Sequence, residues 1–201
     1  MTHSLVLASG SPARLRLLRG AGLDPEVVVS GVDETNHDGL PTADLVVALA
    51  RRKAEAVAVL RPGALVLGCD SMLDFEGEAI GKPVTPQDAV DAWHRLAGRE
   101  GTLLTGHWLI AGERHASGVG ATTIRFGTPT AAEISAYAAS GEPLSLAGSF
   151  SIDGRSAPFV EGIDGDPSNV IGLSLPLLRR LLADLGIGIT ELWRTSAEPH
   201  R

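Results

Sequence analysis

The residues best suited to chemistry begin at a turn, Ser9-Gly10-Ser11-Pro12, with Arg14 just beyond it. Ser11 suits the N-cap of a helix and Pro12 its first position, where a missing N–H costs nothing. The unbonded N–H groups of that helix, the positive end of its dipole, the Ser9 and Ser11 hydroxyls and the Arg14 guanidinium then face one spot, as an anion requires. A capped helix with a solvated arginine is the plain alternative. Further along stand Asp33 and Glu34 after an apolar run, Lys53 inside a helical pattern, Asp70 closing the run Ala64 to Cys69, and Lys82 in Gly81-Lys82-Pro83. Proline holds the residue before it extended, so Lys82 is presented from a stiff segment. Cations neutralise phosphate oxygens while hard carboxylate oxygens hold magnesium or manganese, so this set suits a polyphosphate with a divalent ion. Each member also has an ordinary reading, as acidic loop, snorkelling lysine, turn-forming aspartate or solvated loop lysine.

Other chemistries find less support. There is no G-x-x-x-x-G-K-[ST] run for a P-loop, and no serine or cysteine has a convincing base partner for covalent catalysis. The one cysteine, Cys69, reads as a small buried residue; it allows no internal disulfide and fits a reducing cytoplasm. The 6 histidines show no zinc-type pairing. A net charge of -7 and 4% aromatic residues argue against a nucleic acid polymer as partner. Met1 to His3 leads straight into a strand with no basic segment followed by a long apolar one, and no apolar run approaches the roughly 18 residues a membrane span needs. A cytoplasmic protein without membrane contact is expected.

The elements that must position these residues follow from hydrophobic period and caps. The chain has 201 residues, 44% of them hydrophobic, enough for one compact unit with room for two lobes. Leu5 to Ala8 reads as a buried strand, followed by a helix from Pro12 that Gly22 stops. Glu26 to Ser30 reads as a second strand. A helix from Thr42 to about Leu60 gathers Leu45, Val46, Leu49, Ala56, Val57 and Leu60 within ~120° of arc; Lys53 shares that face, and Arg51 lies opposite. Ala64 to Cys69 reads as a strand whose carboxyl end carries Asp70, where ligands of open sheets sit. A hairpin around Glu76-Gly77 and a Thr85-capped helix to about Ala97 come next, with Ala89, Ala92, Trp93 and Leu96 inward. Two antiparallel strands follow, Leu103 to Ala111 and Val119 to Phe126, joined by a polar turn from Gly112 to Ser117. Thr130 to Glu133 is a capping box. A glycine-punctuated stretch then precedes a Ser174-capped leucine helix, and Arg194 to Arg201 reads as a frayed polar tail. Alternating strands and helices followed by an antiparallel pair give an α/β protein with a mixed sheet.

ASGSPARLRLL, GVDE, ARRKA, GCDS, GKP, LAGSFSIDG and GDPSNVIGLSLPLL occur in that order. With them the chain resembles the Maf family of nucleoside triphosphate pyrophosphatases, in its actinobacterial type, over about Leu5 to Gly186. The resemblance implies an inosine-triphosphatase-like (Maf/Ham1) fold with a cleft between two lobes, one domain over residues 1–190 and a polar tail over 191–201. It implies hydrolysis of a nucleoside triphosphate, modified or non-canonical ones included, to the monophosphate and pyrophosphate with Mg or Mn, as house-cleaning of the nucleotide pool. Carried over residue by residue, Ser9, Ser11 and Arg14 bind phosphate, Glu34 and Asp70 hold the metal, Asp70 is general base to the water that attacks the α-phosphorus, and Lys53 and Lys82 complete the catalytic set. Base selection falls to Ala13, Ser71 and Asp153, where this chain departs from the arginine or tryptophan, threonine or glutamine, and glutamine or glutamate of the family; a carboxylate at 153 favours a base that carries donors. A homodimer is left open. The competing expectations are a non-catalytic nucleotide-binding regulator of septum formation and cell division, and a phosphomonoesterase that releases orthophosphate.

Overall fold

The first strand, β1 (Leu5–Leu7), is buried on both faces, and its short apolar side chains allow cover from both sides. A computed structural model of the chain describes residues 4–34 and 39–193; the tail expected at 194–201 lies outside them. After β1 come α1 (Pro12–Gly20), β2 (Glu26–Val27), α2 (Thr42–Leu60), β3 (Leu65–Phe75), β4 (Glu78–Ile80) and α3 (Pro86–Leu96). The second half holds β5 (Glu100–Ala111), β6 (Arg114–Phe126), α4 (Ala131–Ala139), β7 (Val160–Gly165), α5 (Pro167–Ile171) and α6 (Leu175–Asp184).

The strands form one mixed sheet in the order β2-β1-β3-β5-β6-β7, with β4 hydrogen-bonded to β3. β1 is parallel to β2 and β3, and the remaining pairs are antiparallel. Two glycines set the depth of α2 on this sheet. A Cβ at Gly68 would lie 2.1 Å from the Ala50 carbonyl oxygen, and one at Gly106 would lie 2.2 Å from that of Val46. The helix backbone therefore rests directly on β3 and β5, which brings its next turn within reach of Asp70.

Two apolar clusters occupy different parts of the same strands and make the two lobes. One packs Leu5, Leu7, Leu65, Leu67 and Cys69 against Leu18 of α1 and Leu178 and Leu182 of α6. The other surrounds Trp93, whose ring meets Phe126 and Tyr137 edge-on at 5.7 and 6.0 Å and whose Nε1 donates to the Ser149 carbonyl at 2.9 Å. Burying side chains of this size contributes about 1.5 to 3 kcal/mol each.

Several boundaries differ from expectation. β3 does not end at Cys69; it continues to Phe75 because β5 stays in register with it from Leu65↔Ala111 to Asp74↔Thr102. β2 stops at Val27 rather than Ser30, where its pairing to β1 ends. β5 and β6 are longer than expected, pairing out to Ala111↔Arg114 around Gly112 and Glu113, so Arg114 to Ser117 is strand rather than turn. On α2, Leu45, Val46, Leu49 and Val57 are buried, but Leu60 is exposed in the last turn, where α2 outruns the sheet. β7 and α5 fold within the glycine-punctuated stretch, and Asp166 caps α5 by accepting from Ser168 N. Trp193 bridges Leu23, so that part of the C-terminal stretch is fastened to the first lobe.

Candidate active site

At the N-terminus of α1, the Ser11 hydroxyl accepts from Arg14 N at 3.4 Å and the Ser9 hydroxyl accepts from Ser11 N at 3.2 Å. Both serines thus order the turn. Arg14 is buried, not solvated. Its Nε donates to the Gly172 carbonyl at 2.7 Å, Nη1 to Ser9 Oγ at 3.1 Å and Nη2 to Ser71 Oγ at 2.9 Å. These three acceptors are neutral. A guanidinium withdrawn from water against neutral partners keeps its full charge for an anion that arrives from outside.

The other half of the site lies across the sheet. Alternation along β3 points Asp70 toward α2 and Ser71 toward α1. β1 stops at Leu7, with Ala8 N donating to Leu67 O at 2.8 Å, so β3 continues past the end of its parallel neighbour. Asp70 lies mid-strand, contrary to its expected place at a strand end; the carboxyl end that it borders is that of β1. Lys53 is 5% exposed and its Nζ lies 2.6 Å from Asp70 Oδ1 and 2.8 Å from Glu34 Oε1. Partial burial would raise the Glu34 pKa, but the Lys53 hydrogen bond and the charges of Lys53, Lys82 and Arg14 outweigh it and hold the carboxyl below its usual range. Lys82 is exposed; the neighbouring Gly81 carbonyl accepts from Gly148 N at 2.9 Å, which ties the lysine's segment to the second lobe. The charges of three cations from separate parts of the chain therefore act on one carboxylate.

Ala13, Arg16 and Leu17 of α1 line a cavity of about 300 Å³ with Asp153, Ile171 and Leu175. Arg16 Nη2 approaches Asp153 Oδ2 at 3.4 Å. Ala13 and Asp153, both assigned to base selection by resemblance, are thereby brought together, while Ser71 lies apart from them against Arg14.

A profile described as Maf-like protein matches residues 4–185. The chain belongs to the Maf-like protein family. It is 62% identical over 194 residues to a protein of Streptomyces coelicolor named nucleoside triphosphate pyrophosphatase, covering 94% of each chain. A protein of Saccharopolyspora erythraea with the same name is 54% identical over 202 residues, with 94% of this chain and 96% of that one covered. The structure of the Staphylococcus aureus Ham1 protein superposes with a TM-score of 0.51 at 12% identity, over 90% of this chain and 99% of that one, so the two share a fold.

In this Maf-like protein the sequence motifs foretell the charged residues better than the neutral ones that hold them. Gly172 and Asn169 lie inside the motif GDPSNVIGLSLPLL, which does not reveal their part in holding the site, and Thr105 and His107 lie outside the motifs. The signal for the last two is the polar run Thr105-Gly106-His107 inside an otherwise apolar strand. His107 is buried, with Nδ1 3.0 Å from the Thr105 carbonyl, and its Nε2 accepts from Ser174 N at 2.9 Å. Burial lowers its pKa to about 4 against the smaller upward pull of that carbonyl, with Arg14 lowering it further, so the ring is neutral near pH 7. Cys69 is fully buried and burial pushes its thiol up to about 12, which bars it from acting as a nucleophile.

Proposed function

We propose that this Maf-like protein hydrolyses a nucleoside triphosphate to the monophosphate and pyrophosphate by attack of water at the α-phosphorus. The observation that carries the reading is the Lys53 ammonium, 2.8 Å from Glu34 and 2.6 Å from the buried Asp70, with Lys82 and Arg14 near enough for their charges to lower the Glu34 pKa as well. That charge pattern suits a chain of phosphates and the pyrophosphate that leaves. The α1 N-terminus with Ser9 and Arg14 receives phosphate oxygens at one end of the site, and Lys82 neutralises the departing group at the other. Lys53 holds Asp70 Oδ1, so Oδ2 is the oxygen assigned to take the proton from the attacking water. General-base and electrostatic contributions of this kind are worth about 10² to 10⁴ in rate each.

Glu34 and Asp70 suit a divalent cation, since two carboxylates drawn to a single ammonium leave further oxygens to share with substrate phosphates, as magnesium and manganese prefer. Among the described residues there is no group of three or more His, Cys, Asp or Glu that could hold a metal ion. When bound, Mg or Mn would neutralise phosphate charge and acidify water.

The cavity beside Ala13 and Asp153 is assigned to the base, modified and non-canonical ones included, and the carboxylate favours an edge with amino or imino donors. Among the described residues no helix is long and apolar enough to cross a membrane. A cytoplasmic place, beside the nucleotide pool, completes the reading. A panel of ordinary and modified nucleoside triphosphates with Mg or Mn, monitored for products, tests it. Monophosphate and pyrophosphate in equal amounts support it; orthophosphate release, or binding without turnover on every member, overturns it.

A further inference from the structure

Among the described residues the groups that accept hydrogen bonds from the Arg14 side chain are neutral, and one of them begins a chain of hydrogen bonds that leads away from the site. Ser71 Oγ lies 2.9 Å from Thr105 Oγ1, with either atom able to donate, and Thr105 Oγ1 lies 3.3 Å from the Asn169 carbonyl oxygen. Proton counting fixes the direction. Arginine can only donate, so Ser71 Oγ accepts from Nη2. A carbonyl can only accept, so the single Thr105 proton goes to Asn169. The contact between the two hydroxyls then has one solution, with Ser71 donating to Thr105. The chain runs Arg14 to Ser71 to Thr105 to Asn169, every donor pointing the same way, an arrangement in which each bond polarises the next.

The far end of this chain is fixed. Asn169 is fully buried, and its Nδ2 donates to the Leu103 carbonyl at 3.1 Å and to Thr122 Oγ1 at 3.2 Å. Gly120 leaves the space it needs, since a Cβ there would lie 2.2 Å from Asn169 Oδ1. Thr105 is also fully buried, paired in register with Ser71 across β3 and β5.

We infer that Thr105 is a positioning residue for phosphate binding, which acts through Ser71 to hold the Arg14 guanidinium in the orientation an incoming phosphate meets. The inference rests on the reading of Arg14 as a phosphate ligand. It also gives Ser71 a task apart from base selection. Without the Thr105 hydroxyl the Ser71 proton has no acceptor in this chain, the hydroxyl turns, and Arg14 loses one of its three fixed contacts. Small misplacements of a group that orients substrate cost up to about 10² in rate.

A double-mutant cycle tests this. Thr105→Val replaces the hydroxyl by a methyl group at nearly constant volume, and Arg14→Met removes the charge. The kcat/KM on the best nucleoside triphosphate and the thermal midpoint are measured for the wild type, both single variants and the double variant. Thr105→Val is expected to lower kcat/KM by about tenfold or more, with Thr105→Ser restoring most of it. In the Arg14→Met background the same change has no further effect on kcat/KM, although it lowers the thermal midpoint as much as before. Equal losses in both backgrounds, or wild-type kcat/KM for Thr105→Val, overturn the inference while leaving the site reading intact. Wild-type kcat/KM for Arg14→Met overturns the site reading itself, and this inference with it. Ser71→Ala, run through the same cycle, interrupts the chain at a less buried position if the valine variant does not fold.

Discussion

The Lys53 ammonium lies 2.6 Å from Asp70 and 2.8 Å from Glu34, so one buried cation is shared by two carboxylates from different parts of the chain. Lys53 thus does two things: it draws two negative groups to one point, and its hydrogen bond and charge lower the Glu34 pKa against the opposing effect of partial burial.

Replacement of Lys53 by Met should therefore move the acid limb of the pH dependence of kcat/KM. Glu34 in the wild type has a lowered pKa, so its charged form is fully present above the ordinary value of 4.5 and is lost only as pH falls through the lowered one. Loss of the lysine removes the hydrogen bond that lowers it and leaves partial burial to raise it. The acid limb shifts to higher pH, and the fold loses about 3 to 5 kcal/mol as the Asp70 charge is stranded. An acid limb unchanged from wild type would contradict this role.

His107 should tie stability to pH. Its folded pKa of about 4 lies below the ordinary value of 6.5, so between those values the unfolded chain binds more protons. The contribution is fully present above pH 6.5 and is lost progressively as pH falls to about 4, a change on the order of 3 kcal/mol. Chemical denaturation at a series of pH values should show this slope in the wild type and a flatter one in His107→Asn.

Gly172 should resist substitution because it adopts φ +124°, which side chains other than glycine rarely accept. Gly172→Ala is expected to cost about 1 to 3 kcal/mol in stability and to raise KM for the triphosphate by disturbing the carbonyl that holds Arg14. Denaturation together with steady-state kinetics checks both halves.

Cys69 should be chemically silent. Its thiol is fully buried and pushed up to about 12, so a thiol reagent at neutral pH should react only after unfolding, and treated native protein should keep its turnover. Rapid labelling of the native protein would contradict the burial described.

What was legible in the sequence was mostly local. Ser11, Thr85, Thr130 and Ser174 all cap the helices expected of them, because a cap is a bond between residues two or three positions apart. The charged residues Arg14, Glu34, Lys53 and Asp70 all stand in motifs. Their surroundings were not legible there: Arg14 takes its shortest bond from Gly172, 158 positions away. The mid-strand place of Asp70 escaped as well, because the pairing of β3 with β5 that prolongs it is set by the long hairpin of β5 and β6, which local period does not reveal. The same holds for α5, whose five residues are too few to show a helical period.

The most direct measurement is turnover by Asp70→Asn beside the wild type, on the best nucleotide of the panel and with folding checked by circular dichroism. Loss of about 10² to 10⁴ in kcat with retained fold and retained nucleotide binding is the predicted result. Wild-type turnover in the folded variant would show that the proton leaves the attacking water by another route and that the carboxylate held by Lys53 is not the base.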